Sequence, residues 1–210
     1  MTRQLFVLGD SISLGYGPTL AHYLDGALTY SRKTANDPAI MDLPDPQGRL
    51  RDENGTDSEA VLGFLQAKLA TEDFKPDVLL LNCGLHDLRT MPDSGEKQVA
   101  PNAYRANLAS ICRAVASVIP WVVWVRTTPV DDARHNSQQQ DFYRYQADVE
   151  QYNAIADAVM QAAGIPIIDL HGFTQKLGVT QYIDHVHFGE QAQNLQAAYI
   201  AGHLTALLTP

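Results

Sequence analysis

Short apolar runs punctuate the chain at Leu5–Leu8, Val78–Cys83, Trp121–Val125 and Ile165–Ile168, with a weaker one at Ala27–Tyr30. The four stronger runs are rich in leucine or β-branched residues and do not alternate with polar positions, which is the pattern of strands buried on both faces of a sheet. Between the runs the period changes. Tyr104, Leu108, Ile111, Val115 and Ile119 recur at helical spacing, as do Phe142, Tyr145, Val149, Tyr152, Ala156 and Val159. Boundary signals agree: Pro101 suits a first helical turn, Thr56-Asp57-Ser58-Glu59 has capping-box spacing with Thr56 as the cap, and Gly164 follows the last apolar position of its helix.

Strand and helix therefore alternate from end to end, which predicts a parallel sheet covered by helices on both faces, an α/β sandwich formed by a single domain over residues 1–210. Two polar stretches fit neither period, Ser31–Asn54 and Thr128–Gln140. Both are longer than an ordinary connection and are expected to be binding loops or lids.

The charge balance narrows the partners. With 24 Asp and Glu against 15 Lys and Arg, a net charge of −9, the chain has no basic surplus with which to neutralise phosphates, so neither nucleic acid nor an anionic membrane is expected as a partner. No apolar run approaches transmembrane length, and the first strand starts within a few residues of Met1, so a cytoplasmic location is expected. The two cysteines, Cys83 and Cys112, match no zinc or disulfide spacing and read as buried, reduced thiols.

The candidate chemistry begins where the first strand ends, in Gly9-Asp10-Ser11. Open α/β sheets gather reacting groups at the carboxyl ends of their strands, which makes Ser11 the candidate nucleophile. A serine hydroxyl needs a base, normally histidine, and that imidazole needs a carboxylate to orient it. Asp184 and His187, three residues apart before the final helical segment, have that spacing; His185 is a competing base. Asp10 and Asp87 read as turn-shaping carboxylates, and His22, His135, His171 and His203 lack a partner motif. Asp184, His185 and His187 are the only dense metal-ligand group and lack further partners, so no metal is expected.

With a glycine near a helix start after the second strand and Gly84-Leu85-His86-Asp87 after the third, the chain resembles the SGNH hydrolases, also called the GDSL esterase/lipase family, from Gly9 to Phe188. The resemblance implies a three-layer αβα sandwich with a flavodoxin-like sheet, a triad of Ser11, His187 and Asp184, and no cofactor. It also implies an oxyanion hole built from the amides of Ser11 and Gly55 and a side-chain donor. That donor is asparagine in the family pattern and His86 in this chain. Gly48 and Gly63 are alternatives to Gly55, which is preferred because it lies next to a helix start. A histidine donor, with an ordinary pKa of about 6.5, would make oxyanion stabilisation pH-sensitive.

The expected activity is hydrolysis of a small-molecule ester through an acyl-serine intermediate. Polar loops favour short acyl groups, such as acetyl on a carbohydrate. Acyl transfer by the same triad is the alternative, and a nucleotide- or phosphate-binding flavodoxin-like module without catalysis is a more distant one.

Overall fold

The five apolar runs assemble into one parallel sheet in the order β2-β1-β3-β4-β5, which is the flavodoxin-like order. A computed structural model describes residues 2–45 and 48–209, so Met1, Pro210 and the pair Pro46 and Gln47 within the first polar stretch lie outside the described residues. The strands are β1 (Arg3–Leu8), β2 (Leu28–Arg32), β3 (Val78–Leu81), β4 (Trp121–Val125) and β5 (Ile167–Ile168). Central β1 pairs with both β2 and β3, and β3 is buried along its whole length.

Strand ends differ from the apolar runs for local reasons. β3 stops at Leu81 because Asn82 turns its amide to the Leu8 carbonyl (3.0 Å) and its side chain to the Val125 carbonyl (2.8 Å), tying the ends of three strands together. β5 is short because the Ile165 N–H donates to Met160 O (2.9 Å) in closing the preceding helix, and Pro166 has no N–H to donate.

Among the described residues seven α-helices cover the sheet: α1 (Ser11–Tyr23), α2 (Ser58–Leu69), α3 (Pro101–Val115), α4 (Asp132–Gln138), α5 (Gln146–Ala162), α6 (Leu170–Leu177) and α7 (Glu190–Leu208). α1 packs on α7 and α7 on α6, while α2, α3 and α5 form a second row, giving the three layers. The stripe expected to start at Phe142 becomes helical only at Gln146, because Tyr143 exchanges backbone hydrogen bonds with Thr90 at 2.8 Å in both directions. The stretch Thr128–Gln140 is not one loop. It contains α4, which is almost entirely polar and so shows no hydrophobic period, and which Asp131 caps through Arg134 N–H (3.0 Å). Among the described residues of Ser31–Asn54, Ser31 and Arg32 end β2 and Pro38–Ile40 forms a helical turn.

The α2 cap is also shifted from its expected position. Asp57, not Thr56, accepts the Glu59 and Ala60 amides (3.1 and 3.0 Å). Thr56 lies before the helix with φ +58°, a left-handed conformation rare for a β-branched residue. Its buried hydroxyl has no partner.

Cys83 and Cys112 are buried and unpaired. Among the described residues no helix is long and apolar enough to cross a membrane. At the amino-terminal edge of the sheet the Arg3 guanidinium donates to Leu208 O (2.9 Å), joining β1 to the end of α7 beside a groove of about 560 Å³.

Thr56→Gly is expected to stabilise the protein by about 1 kcal/mol. Relief of left-handed strain, roughly 1–2 kcal/mol, exceeds the roughly 0.5–1 kcal/mol entropic cost of glycine. Urea denaturation checks it: a lower midpoint in the variant would show that Thr56 packing outweighs the strain.

Candidate active site

The chain leaves β1 through Gly9 and turns sharply into α1. Asp10 caps that helix, its carboxylate accepting the Ile12 N–H at 3.0 Å. Ser11 is thus the first helical residue. Among the described residues nothing accepts its N–H, which therefore sits at the positive end of the helix with its bond unmade.

His187 reaches Ser11 from the far end of the sequence. Its Nε2 lies 2.8 Å from Ser11 Oγ and its Nδ1 lies 2.7 Å from Asp184 Oδ2. The second Asp184 oxygen accepts the amides of Val186 (2.8 Å) and His187 (2.7 Å), which locks the segment into a turn. Partial burial would raise the Asp184 carboxyl, but the two amides and the imidazole outweigh it and hold its pKa at about 2. A carboxylate ionised at all ordinary pH keeps the imidazole proton on Nδ1 and leaves Nε2 to accept from the Ser11 hydroxyl. The site is open: the side chains of His187 and Asp184 are 35% and 42% exposed.

His86 lies on the turn after β3, within electrostatic reach of His187. Gly84 makes that turn possible, since φ is +149° and a Cβ would meet Thr127 Oγ1 at 2.3 Å. Burial pushes the His86 imidazole well below its ordinary pKa, and the nearby guanidiniums of Arg89 and Arg144 push it further. The expected switch near pH 6.5 is therefore displaced to acid, and at neutral pH the ring is uncharged with one N–H to donate.

Gly55 is not available in the way expected. Its N–H donates to Gly9 O at 2.9 Å, and its Cα packs so closely that a Cβ would lie 3.0 Å from the same oxygen. The amide therefore ties the β2–α2 connection to the Ser11 turn and is not free for an oxyanion. Of the alternatives, Gly63 is inside α2 and Gly48 lies on a turn with φ +67°. Asp10 and Asp87 behave as turn carboxylates, Asp87 accepting the Ser58 N–H at 2.9 Å.

Sequence reasoning passed over a second tier of side chains. His185 Nδ1 meets Nδ1 of His135, a fully buried residue of α4, at 2.9 Å. The His135 ring packs on Phe142 (5.7 Å), over which lie Arg89 (4.2 Å) and Arg144 (4.9 Å). Arg144, 3% exposed, donates from Nε to Leu85 O at 2.6 Å. Arg89 and Arg144 carried no sequence signal, because nothing short-range pairs them with a partner.

The model of the GDSL-like lipase/acylhydrolase family matches residues 7–195. No curated protein matches the chain. Among solved structures, a lipase/acylhydrolase from Enterococcus faecalis superposes with a TM-score of 0.72 at 18% identity, covering 100% of this chain and 98% of its own. An aryl esterase from M. smegmatis gives 0.66 at 15% identity, over 99% of this chain and 100% of its own. A carbohydrate acetylesterase from Sinorhizobium meliloti gives 0.63 at 15% identity, with the same coverages.

Asp87 generates a test of the site's electrostatics. Fully buried, with Oδ2 sealed and unpartnered, it is pushed up to about 8, chiefly by burial and further by Asp57, against the Ser58 hydrogen bonds. Between the unfolded value near 3.9 and 8, the folded protein keeps a proton that the unfolded chain loses, so Asp87 makes stability fall as pH rises through that window and level off above it. Asp87→Asn abolishes this titration. Its melting temperature relative to wild type should climb from pH 5 to pH 8, and a pH-independent difference would show that Asp87 is ionised in the fold.

Proposed function

The chain belongs to the GDSL-like lipase/acylhydrolase family, whose model matches residues 7–195, and from that membership we propose that this esterase works through an acyl-serine intermediate on Ser11. The observation that carries the reading is the unbroken relay of hydrogen bonds from Asp184 through His187 to the Ser11 hydroxyl, at 2.7 and 2.8 Å.

In this mechanism His187 Nε2 takes the hydroxyl proton as Ser11 Oγ bonds to the acyl carbonyl carbon, whose π electrons move onto oxygen. The imidazolium so formed is stabilised by the Asp184 carboxylate. The oxyanion is met by the unengaged Ser11 N–H at the helix terminus and by the neutral His86 ring. Collapse of the tetrahedral intermediate expels the alcohol, which receives its proton from His187. Water, deprotonated by the same base, then releases the acid and frees Ser11. No cofactor enters any step.

The favoured substrates are esters of short acyl groups, acetyl first. The openness of the triad supports this, because a long chain gains most where it is enclosed in an apolar cavity. The roomy groove beside Arg3 and Leu208 lies at the opposite end of the sheet and has no place in the reaction.

Hydrolysis of p-nitrophenyl esters of increasing acyl length tests the reading. Wild type should prefer acetate or propionate, and Ser11→Ala should lose about 10⁶-fold in turnover. Retained activity in a folded Ser11→Ala protein would sink the nucleophile assignment.

His86→Ala should lower kcat about 10²- to 10³-fold with little change in KM, as loss of one oxyanion donor does elsewhere. An unchanged kcat would remove His86 from the oxyanion site.

A further inference from the structure

The charged side chains near the triad are unequally served. Arg49 pairs with Asp57 and Glu59, and Arg126 with Asp157 and Asp169. Among the described residues, no carboxylate oxygen lies within 4 Å of Arg89 or Arg144. Arg89 has one weak bond, from Nη1 to Gln98 Oε1 at 3.4 Å, and its Nε is sealed without a partner. Arg144 is bound only through Nε, to Leu85 O. Its terminal nitrogens donate to no described group and are not among the sealed polar atoms.

Two guanidiniums over one aromatic ring repel each other, and burying an unpaired charge costs several kcal/mol. Burial, reinforced by Arg89, depresses Arg144 to about 9, with Asp10 opposing the shift. Asp10 is the one carboxylate that acts on Arg144 in this way, through space, and it is itself raised by burial. Both guanidiniums act through space on His86 and His185, and Arg144 also on Asp10, the residue before Ser11. Arg144 holds the carbonyl of the residue before His86, and Arg89 is three residues beyond His86. From Phe142 the path back to the nucleophile runs through His135, His185 and His187, with successive rings 5.7, 4.7 and 6.1 Å apart.

We propose that Arg89 and Arg144 form an anion-binding subsite beside Ser11, so that the ester this protein cleaves carries a carboxylate or phosphate close to its scissile bond. This rests on the serine esterase reading and specifies its substrate. A planar guanidinium presents two parallel N–H donors that match either oxyanion, and the stacked, buried setting holds the forks ready without further ordering. Asp57, Asp10 and Asp87 act on Arg89 only through space, as Asp10 does on Arg144, and an incoming anion would supply the direct ion pair.

The test compares kcat/KM for anionic esters and neutral counterparts in wild type, Arg89→Gln, Arg89→Lys and Arg144→Lys, each checked for native melting. Methyl 4-acetoxybenzoate is set against 4-acetoxybenzoate and 4-acetoxyphenyl phosphate, which place the anion on the alcohol side, and phenyl butyrate against monophenyl succinate, which places it on the acyl side. In wild type at least one anionic probe should exceed its counterpart by more than tenfold. The same ratio should fall at least tenfold in Arg89→Gln and Arg144→Lys and be largely restored in Arg89→Lys. The probe that responds assigns carboxylate or phosphate.

Hydrolysis that needs Ser11 but shows no anionic preference, or ratios indifferent to both arginines, would overturn the subsite while leaving the esterase reading intact, the guanidiniums then serving Asp10 and, for Arg89, Asp57 and Asp87 as well. If no ester is turned over through Ser11, the underlying reading fails instead. Calorimetric titration with succinate and with inorganic phosphate then decides the subsite: binding abolished by Arg89→Gln supports it, and no binding to wild type overturns it.

Discussion

A sharp turn between β1 and α1 governs the geometry of this protein. β1 is held on both sides by neighbouring strands, so its carboxyl end is immobile, and Asp10 anchors the helix that follows within two residues. The hydroxyl of Ser11 is thereby pointed from a rigid base, with a helix terminus beneath it. Gly9 adds a further tie by accepting the Gly55 amide, so the segment leading to α2 is referenced to the same turn. Groups from distant parts of the chain can meet Ser11 at hydrogen-bond distance only because its own position does not wander.

The elements legible in the sequence are those whose information is local. Strands buried on both faces announce themselves as continuous apolar runs, and the parallel architecture follows from their alternation with helices. The spacing of Asp184 and His187 was readable because one short turn joins them. What escaped notice depends on longer-range or competing forces. α4 has a buried face supplied by His135 rather than by an apolar stripe. The start of α5 was set by pairing of Tyr143 with Thr90, which no helical period records. The helix-end argument for Gly55 misjudged the cap by one residue and could not reveal that Gly9 would claim its amide. Arg89 and Arg144 became meaningful only when folding left them without carboxylates.

The surroundings of Ser11 are poorer in satisfied polar groups than a core built for stability alone would be. Asp10 and Asp87 each keep a sealed oxygen without a partner, and Arg89 and His135 each keep such a nitrogen. Buried polar groups of this kind weaken a fold, and these four lie on the turns that follow β1 and β3 and on α4. The apolar sheet and its two helical layers supply the stability that tolerates this concentration of unmet charge and hydrogen bonding at one end.

The meeting of Arg3 with Leu208 at the other end has a topological consequence. β1 and α7 are joined there, so the path from Arg3 to Leu208 starts and finishes at the amino-terminal edge of the sheet, while Ser11 lies at the carboxyl edge. A short link between the start of β1 and the end of α7 would span little distance, and a break opened in a surface loop would leave every strand in register, so the order in which the elements are synthesised is separable from the shape they make.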